Sequence, residues 1–358
     1  MEFPPFEHLR FYEGVHDVRL NISYSNVKGF KLGEFHKALP KDLDLNWTDE
    51  RGPPELRRLI ARRCGVKADR VLVTTGATEA NFLANAALIQ PGDHVIVDAP
   101  TYSPLRDCAM GLGGRVVPVP RECGDGWALD LDRFRKAAAS DAKLLVFANL
   151  NNPTSAPLSR GDLRALGELA EERESHVLVD ETFRELAFAG TPPSAATLGP
   201  RMISISTVTK LYGLGALRVG WIVAAPEILR RIRRIKDYTT VGGSSPGQIL
   251  ATWALQRHRR FAQRARAILD RNRTIVRERF DAIPSVEGGV PSAGTVLFPH
   301  CSRSVDRLAS RLVRKYRTVI APGRFFGVKD HFRLGLGGDS AELAQGLANL
   351  ERALKDVR

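Results

Sequence analysis

The chain has 358 residues, 43% of them hydrophobic and 26% charged, an average composition that excludes a disordered, collagen-like or disulfide-stapled protein. Its length allows about two domains. The formal charge of +13 comes with no zinc-finger, basic-zipper, RNP-like or helix-turn-helix signature, so nucleic acid is not an expected partner; the basic runs at 229–236 and 256–279 read instead as solvated faces of amphipathic helices.

The N-terminal stretch MEFPPFEHLRFYEG carries charges and prolines where a secretory leader needs an apolar run. No run approaches 18 apolar residues, so no membrane span is expected. Cys64, Cys108, Cys123 and Cys301 lie far apart without a C-x-x-C pair, which suits reduced thiols in a cytoplasmic protein better than a metal site. Seven short β-branched runs follow, at 71–75, 94–99, 115–120, 144–149, 176–180, 202–207 and 219–224. Most are continuously apolar rather than alternating, as strands covered on both faces are. Helical patterns fill gaps between them, for example 78–88 and 160–172, so the fold class is α/β, a mainly parallel sheet sandwiched by helices. Residues 246–280 read as one or two long helices. Strands near 295–299 and 318–321 precede a closing helix from about residue 340. This organisation gives a large domain over 45–250 and a smaller α+β domain from 251–358 joined by 1–44, whose N-terminal segment is expected to cover the substrate.

Polar residues crowd the ends of the apolar runs, where open parallel sheets place their ligands. The first run passes into Gly76, Ala77 and Thr78, a turn feeding a helix, whose free N–H groups suit a phosphate; an ordinary helix start capped by Thr78 fits the same residues. Tyr102 follows the second run and could stack on a planar ring or cover the sheet edge. Asn152 lies in the turn-rich NLNNPT string. Asp180 ends the fifth run, and a carboxylate there needs a cationic partner, either a protonated ring nitrogen or a structural arginine. Lys210, the only lysine between Lys143 and Lys236, sits among glycines and apolar residues that lower an amine's pKa, as a Schiff-base lysine requires. Thr207, Thr209 and Arg218 flank it and could grip a dianion. Together these groups are the inventory for pyridoxal 5′-phosphate.

On these motifs the chain resembles the class I/II aminotransferases, the fold type I pyridoxal-phosphate enzymes with an aspartate-aminotransferase-like fold. The resemblance implies that the backbone amides of Ala77 and Thr78 hold the phosphate with Thr207 and Arg218, and that Tyr102 stacks on the pyridine ring. It further implies that Asn152 meets the phenolic oxygen, that Asp180 partners the ring nitrogen and that Lys210 holds the aldehyde. Arg333, in HFRLG, matches the clamp for a substrate α-carboxylate. It also implies a homodimer and, as reaction, transfer of an amino group from an α-amino acid to a 2-oxo acid. A lyase, decarboxylase or arginine cyclase or oxidase is the alternative; a non-catalytic effector domain of a transcription regulator fits less well, because few residues precede the large domain.

Four positions depart from the family pattern. Phe183 stands where a tyrosine usually bonds the phenolic oxygen, Trp47 where a tyrosine reaches the neighbouring subunit's phosphate, Ser155 ends the usual NPTG, and Thr209 replaces a serine. The 22–27 segment, with Asn26 as a substrate contact, and residues 234–238 resemble the branch containing capreomycidine synthases and arginine-oxidising enzymes. Tyr24 occupies the place near which parts of that branch carry an acid for a basic substrate.

Overall fold

The computed structural model describes residues 2–35, 38–46, 49–138 and 141–357, so Trp47 lies outside the described residues. Helix α1 (Glu7–Glu13) and the two-residue strand β1 (Leu20–Asn21) precede α2 (Pro54–Cys64), which opens on a proline and closes on the left-handed Gly65. Strand and helix then alternate through β2 (Val71–Thr74), α3 (Gly76–Leu88), β3 (His94–Ala99), α4 (Ser103–Gly111), β4 (Arg115–Pro120) and α5 (Leu131–Ala137). They continue through β5 (Ala142–Ala148), α6 (Arg160–Glu172), β6 (His176–Asp180), β7 (Met202–Thr207) and β8 (Gly220–Val223). The sheet order is β2-β8-β7-β6-β5-β3-β4, parallel except for β8, which runs against both its neighbours.

The continuous apolar strands follow from burial on both faces. Val95, Val97, Leu144 and Val146 point to the face packed by Leu83 of α3, while Ile96, Leu145 and Phe147 point to the face packed by Leu163 and Leu166 of α6. Each such leucine contributes roughly 1.5–3 kcal/mol by leaving water. Because the strands are parallel, Ala99, Ala148, Asp180 and Thr207 end on one edge of the sheet. The reversed β8 brings its first residue to that edge, where Gly220 pairs with both Thr74 and Thr207.

Beyond the sheet come α7 (Pro226–Lys236), α8 (Ser245–Gln256) and α9 (His258–Phe280), so the 246–280 pattern is two helices. Short strands β9 (Val286–Glu287), β10 (Val296–Leu297) and β11 (His300–Cys301) lead to α10 (Val305–Tyr316). Then β12 (Thr318–Val319), β13 (Ala321–Pro322) and β14 (Phe332–Gly335) precede α11 (Ser340–Asp356). β14 lies between β10 and β13, and β1 pairs parallel with β12, which ties the N-terminal segment to the C-terminal third.

Three details correct the sequence reading. The third helix begins at Gly76 with Thr75 as N-cap, so Thr78 lies inside its first turn and does not cap it. Lys236, expected on a solvated face, is buried, with its Nζ donating to the carbonyl oxygens of Glu50 and Val241. Arg273 of α9 is likewise buried and donates to the carbonyls of Pro291 and Gly294. Backbone carbonyls take the place of water around Lys236, and around Arg273 they do so together with Asp270, whose Oδ1 accepts from Nη1 at 3.0 Å. Ser155, standing where the family has glycine, adopts φ 62° and donates its hydroxyl to Val296 O of β10 at 2.7 Å.

Just below the sheet edge, Arg121 grips Asp98 at both carboxylate oxygens, 2.7 and 2.8 Å apart, with neither side chain exposed. Removing one partner leaves the other charge uncompensated in the interior. Arg121→Met is expected to lower stability by roughly 3–5 kcal/mol in a urea titration; a loss below about 1 kcal/mol would mean that the pair is dispensable.

Candidate active site

Residues just past the strand ends line one cavity of about 600 Å³, and every residue expected to hold cofactor or substrate except Gly76 faces it. Gly76 lies behind the wall and shapes it. Its φ is +80°, and a Cβ there would sit 2.5 Å from Arg218 Nη2. Gly220 is equally constrained, since its Cβ would fall 2.5 Å from the Gly76 carbonyl carbon. These two glycines let β8 press against the N-terminus of α3, so Arg218 stands beside the helix end carrying Ala77 and Thr78. Arg218 itself adopts φ 52° and reaches only the carbonyls of Thr75 and Gly215, at 3.4 Å each. Among the described residues no carboxylate pairs with it. Thr207 Oγ1 lies 2.9 Å from Thr209 Oγ1 and donates to Val219 O. A helix N-terminus, hydroxyls and an arginine without an acid partner make a seat for an anion.

Lys210 extends from the loop after β7. Its Nζ donates to Ser25 Oγ at 2.7 Å and to Asn26 Oδ1 at 2.8 Å, both neutral acceptors, and lies 5.1 Å from the centre of the Phe183 ring. Burial and then Arg333 push the amine down to about 7, while Asp180 opposes them more weakly. Asp180 accepts the Thr182 backbone N–H at 2.9 Å, and burial holds its carboxyl above the usual range. Arg333 donates to Asn152 Oδ1 at 2.9 Å and to Ser23 O at 3.1 Å, and its Nε is buried with no partner among the described residues. Tyr102 sits at the start of α4, where burial pushes its hydroxyl up to about 12. Phe183, lacking the family's hydroxyl, adds an apolar face beside the amine.

The sequence reading assigned the N-terminal segment to covering the substrate but named none of the α1 residues that form one wall of the cavity. Phe6, His8, Leu9 and Tyr12, on and beside α1, also line the cavity, as does Ser25. Nothing local in MEFPPFEHLRFYEG shows that it crosses to a sheet edge nearly a hundred residues away in sequence.

A family profile described as aminotransferase class I and II matches residues 34–350. The chain belongs to that family. Aminotransferases of class I and II depend on pyridoxal 5′-phosphate, and the residues here fit it: the anion seat has room only because Gly76 and Gly220 lack side chains, and a buried acid faces the same space without a paired cation. The chain is 30% identical to capreomycidine synthase of Streptomyces vinaceus, over 94% of this chain and 90% of that one. It is also 30% identical to histidinol-phosphate aminotransferase of Symbiobacterium thermophilum, over 93% and 90%. A pyridoxal-phosphate-dependent aminotransferase from Streptococcus suis 89-1591 superposes with a TM-score of 0.94 at 28% identity, covering 100% of this chain and 99% of that one. A pyridoxal-phosphate-dependent cyclase does so with 0.88 at 27%, covering 99% and 98%.

The lowered amine of Lys210 is open to direct measurement. In cofactor-free protein, Lys210 Nζ is expected to titrate near 7, followed by NMR of the carbon-13 dimethylated lysines, and Arg333→Leu should raise that midpoint. Because the folded value lies below the unfolded one, the unfolded state binds more protons between about pH 7 and 10.5, and stability should rise with pH across that window. A midpoint near 10.5 would contradict the placement of the amine.

Proposed function

We propose that the protein is an aminotransferase that moves the amino group of an α-amino acid to a 2-oxo acid. The observation that carries this reading is a lysine amine held by two neutral acceptors between a buried acid and an arginine with an unpartnered buried nitrogen. Ala77, Thr78, Thr207, Thr209 and Arg218 would hold the cofactor phosphate, Tyr102 the ring face, Asn152 the phenolic oxygen and Asp180 the ring nitrogen. When bound, pyridoxal phosphate supplies an aldehyde to capture the substrate amine and a ring to accept its electrons.

The chain's own groups do the remaining work. Arg333 binds the substrate carboxylate and so fixes which bond at Cα faces Lys210. Lys210 Nζ, substantially neutral near pH 7, takes the Cα proton and returns it. Asp180 keeps a negative charge where positive charge must persist. The 23–27 segment shuts water from the amine.

A cyclase or lyase outcome is the second reading, favoured by the similarity to capreomycidine synthase. Tyr24, half-exposed at the cavity mouth, supplies no acid for a basic substrate there. A homodimer and a cytoplasmic location belong to the same proposal: the family resemblance supports the first, and four free thiols support the second. No helix among the described residues is long and apolar enough to cross a membrane.

Lys210→Ala is expected to abolish turnover and the visible absorbance of bound cofactor, and Asp180→Asn to lower kcat by at least ~100-fold with the fold intact. Product analysis with and without an added 2-oxo acid checks the reaction. Release of a 2-oxo acid that needs an acceptor supports transamination; ammonia or a cyclised product without one would replace it.

A further inference from the structure

The wall formed by the N-terminal segment is aromatic and begins at the arginine. Arg333 Nη2 donates to Ser23 O at 3.1 Å, Ser23 Oγ bonds the Tyr12 hydroxyl, and that hydroxyl lies 3.1 Å from His8 Nε2. His8 stacks on Phe325 with ring centres 5.1 Å apart and planes 13° from parallel. Phe6 meets the His8 ring edge-on at 6.1 Å and the Tyr102 ring edge-on at 5.7 Å. A continuous ring surface thus runs outward from the proposed carboxylate clamp, along the direction a substrate side chain must take.

We infer that this wall, built by α1 and its flank, is the substrate side-chain subsite, and that it selects amino acids with a neutral aromatic side chain. The inference rests on the aminotransferase reading and adds the substrate class.

Charge decides between classes. Of the described residues lining the cavity, Asp180 alone is acidic, while Lys210, Arg218 and Arg333 are cationic. Asp180 ends β6 and is absent from the α1 wall, so a guanidinium or ammonium side chain finds no carboxylate there. His8 reports the environment such a group would meet. Burial first, then Arg333 and Lys210, lower its imidazole to about 3, so it is neutral at physiological pH, and a cation at the same wall faces the same penalties. An acidic side chain fares no better: Arg333 is engaged by the α-carboxylate, and Arg218 stands against the α3 terminus.

An aromatic ring gains from the wall in two ways. It leaves water, and it offers edge-to-face contacts that an aliphatic chain cannot make, worth up to about tenfold in affinity. The imidazole and the Tyr12 hydroxyl also provide neutral polar partners for a phenol.

The test titrates cofactor-loaded protein with L-phenylalanine, L-tyrosine, L-leucine, L-arginine and L-aspartate while following visible absorbance. Half-saturation for the two aromatic amino acids is expected below that for the other three, by up to about tenfold against leucine and by more against arginine and aspartate. Phe6→Ala should bring the leucine-to-phenylalanine ratio close to one, and His8→Glu should raise the preference for arginine over phenylalanine by about tenfold or more. Each variant is judged by ratios on protein that retains the cofactor colour. Tightest response to arginine, aspartate or leucine, or ratios unmoved in both variants, overturns the aromatic subsite while leaving the aminotransferase reading standing. Loaded protein that answers to no amino acid overturns both.

Discussion

A primary amine kept from water without a carboxylate to pair with is the constraint around which this molecule is arranged. An exposed lysine is protonated and inert at neutral pH, and one paired with an acid is more so. Lys210 avoids both conditions, because its two hydrogen-bond acceptors are a serine hydroxyl and an amide carbonyl. The charge of Arg333 lowers its pKa further and outweighs that of Asp180, and the ring of Phe183 covers another side. Each contributor comes from a different part of the chain, so the amine's reactivity is a property of the assembled fold.

That assembly depends on the N-terminal segment. Residues 22–28 are held from both sides: Ile22 O accepts from Gly335 N, Lys28 N donates to Gly337 O, Ser25 O accepts from Thr295 Oγ1, and Val27 N donates to Lys210 O. The same strap carries Ser23, Ser25 and Asn26 to the two cations that matter, Arg333 and Lys210. It therefore couples the C-terminal sheet, which supplies the arginine, to the seven-stranded sheet, which supplies the lysine and the acid. The aromatic helix ahead of it is placed by the same anchoring.

The layout of the sheet was legible because its physical cause is local. Strands buried on both faces must be apolar throughout, and the runs at 94–99, 176–180 and 202–207 coincide with strands β3, β6 and β7, while 115–120 coincides with β4, a sheet-edge strand most of whose residues are exposed. Residues that follow strand ends were legible too, since parallel pairing carries those ends to one edge whatever the loops do. Lys210 stood out by being alone among arginines. What stayed hidden depends on distance in sequence. The contacts of Ser25 and Asn26 with Lys210 bridge more than 180 positions, and the α1 wall has no periodicity pointing at a cavity. Lys236 and Arg273 were misplaced for the opposite reason, because composition assigns cations to water and cannot show a cluster of backbone carbonyls able to replace it.

Similarity in sequence and fold spans both transaminating and cyclising relatives, so overall resemblance does not choose between outcomes. In the proposed reading either outcome starts from the amine of Lys210. Borohydride treatment of the cofactor-loaded protein, followed by digestion and peptide mass analysis, reads that amine directly. This account expects a single reduced cofactor adduct, located on the peptide containing Lys210. An adduct on any other lysine, or none in protein that has taken up the cofactor, would contradict it.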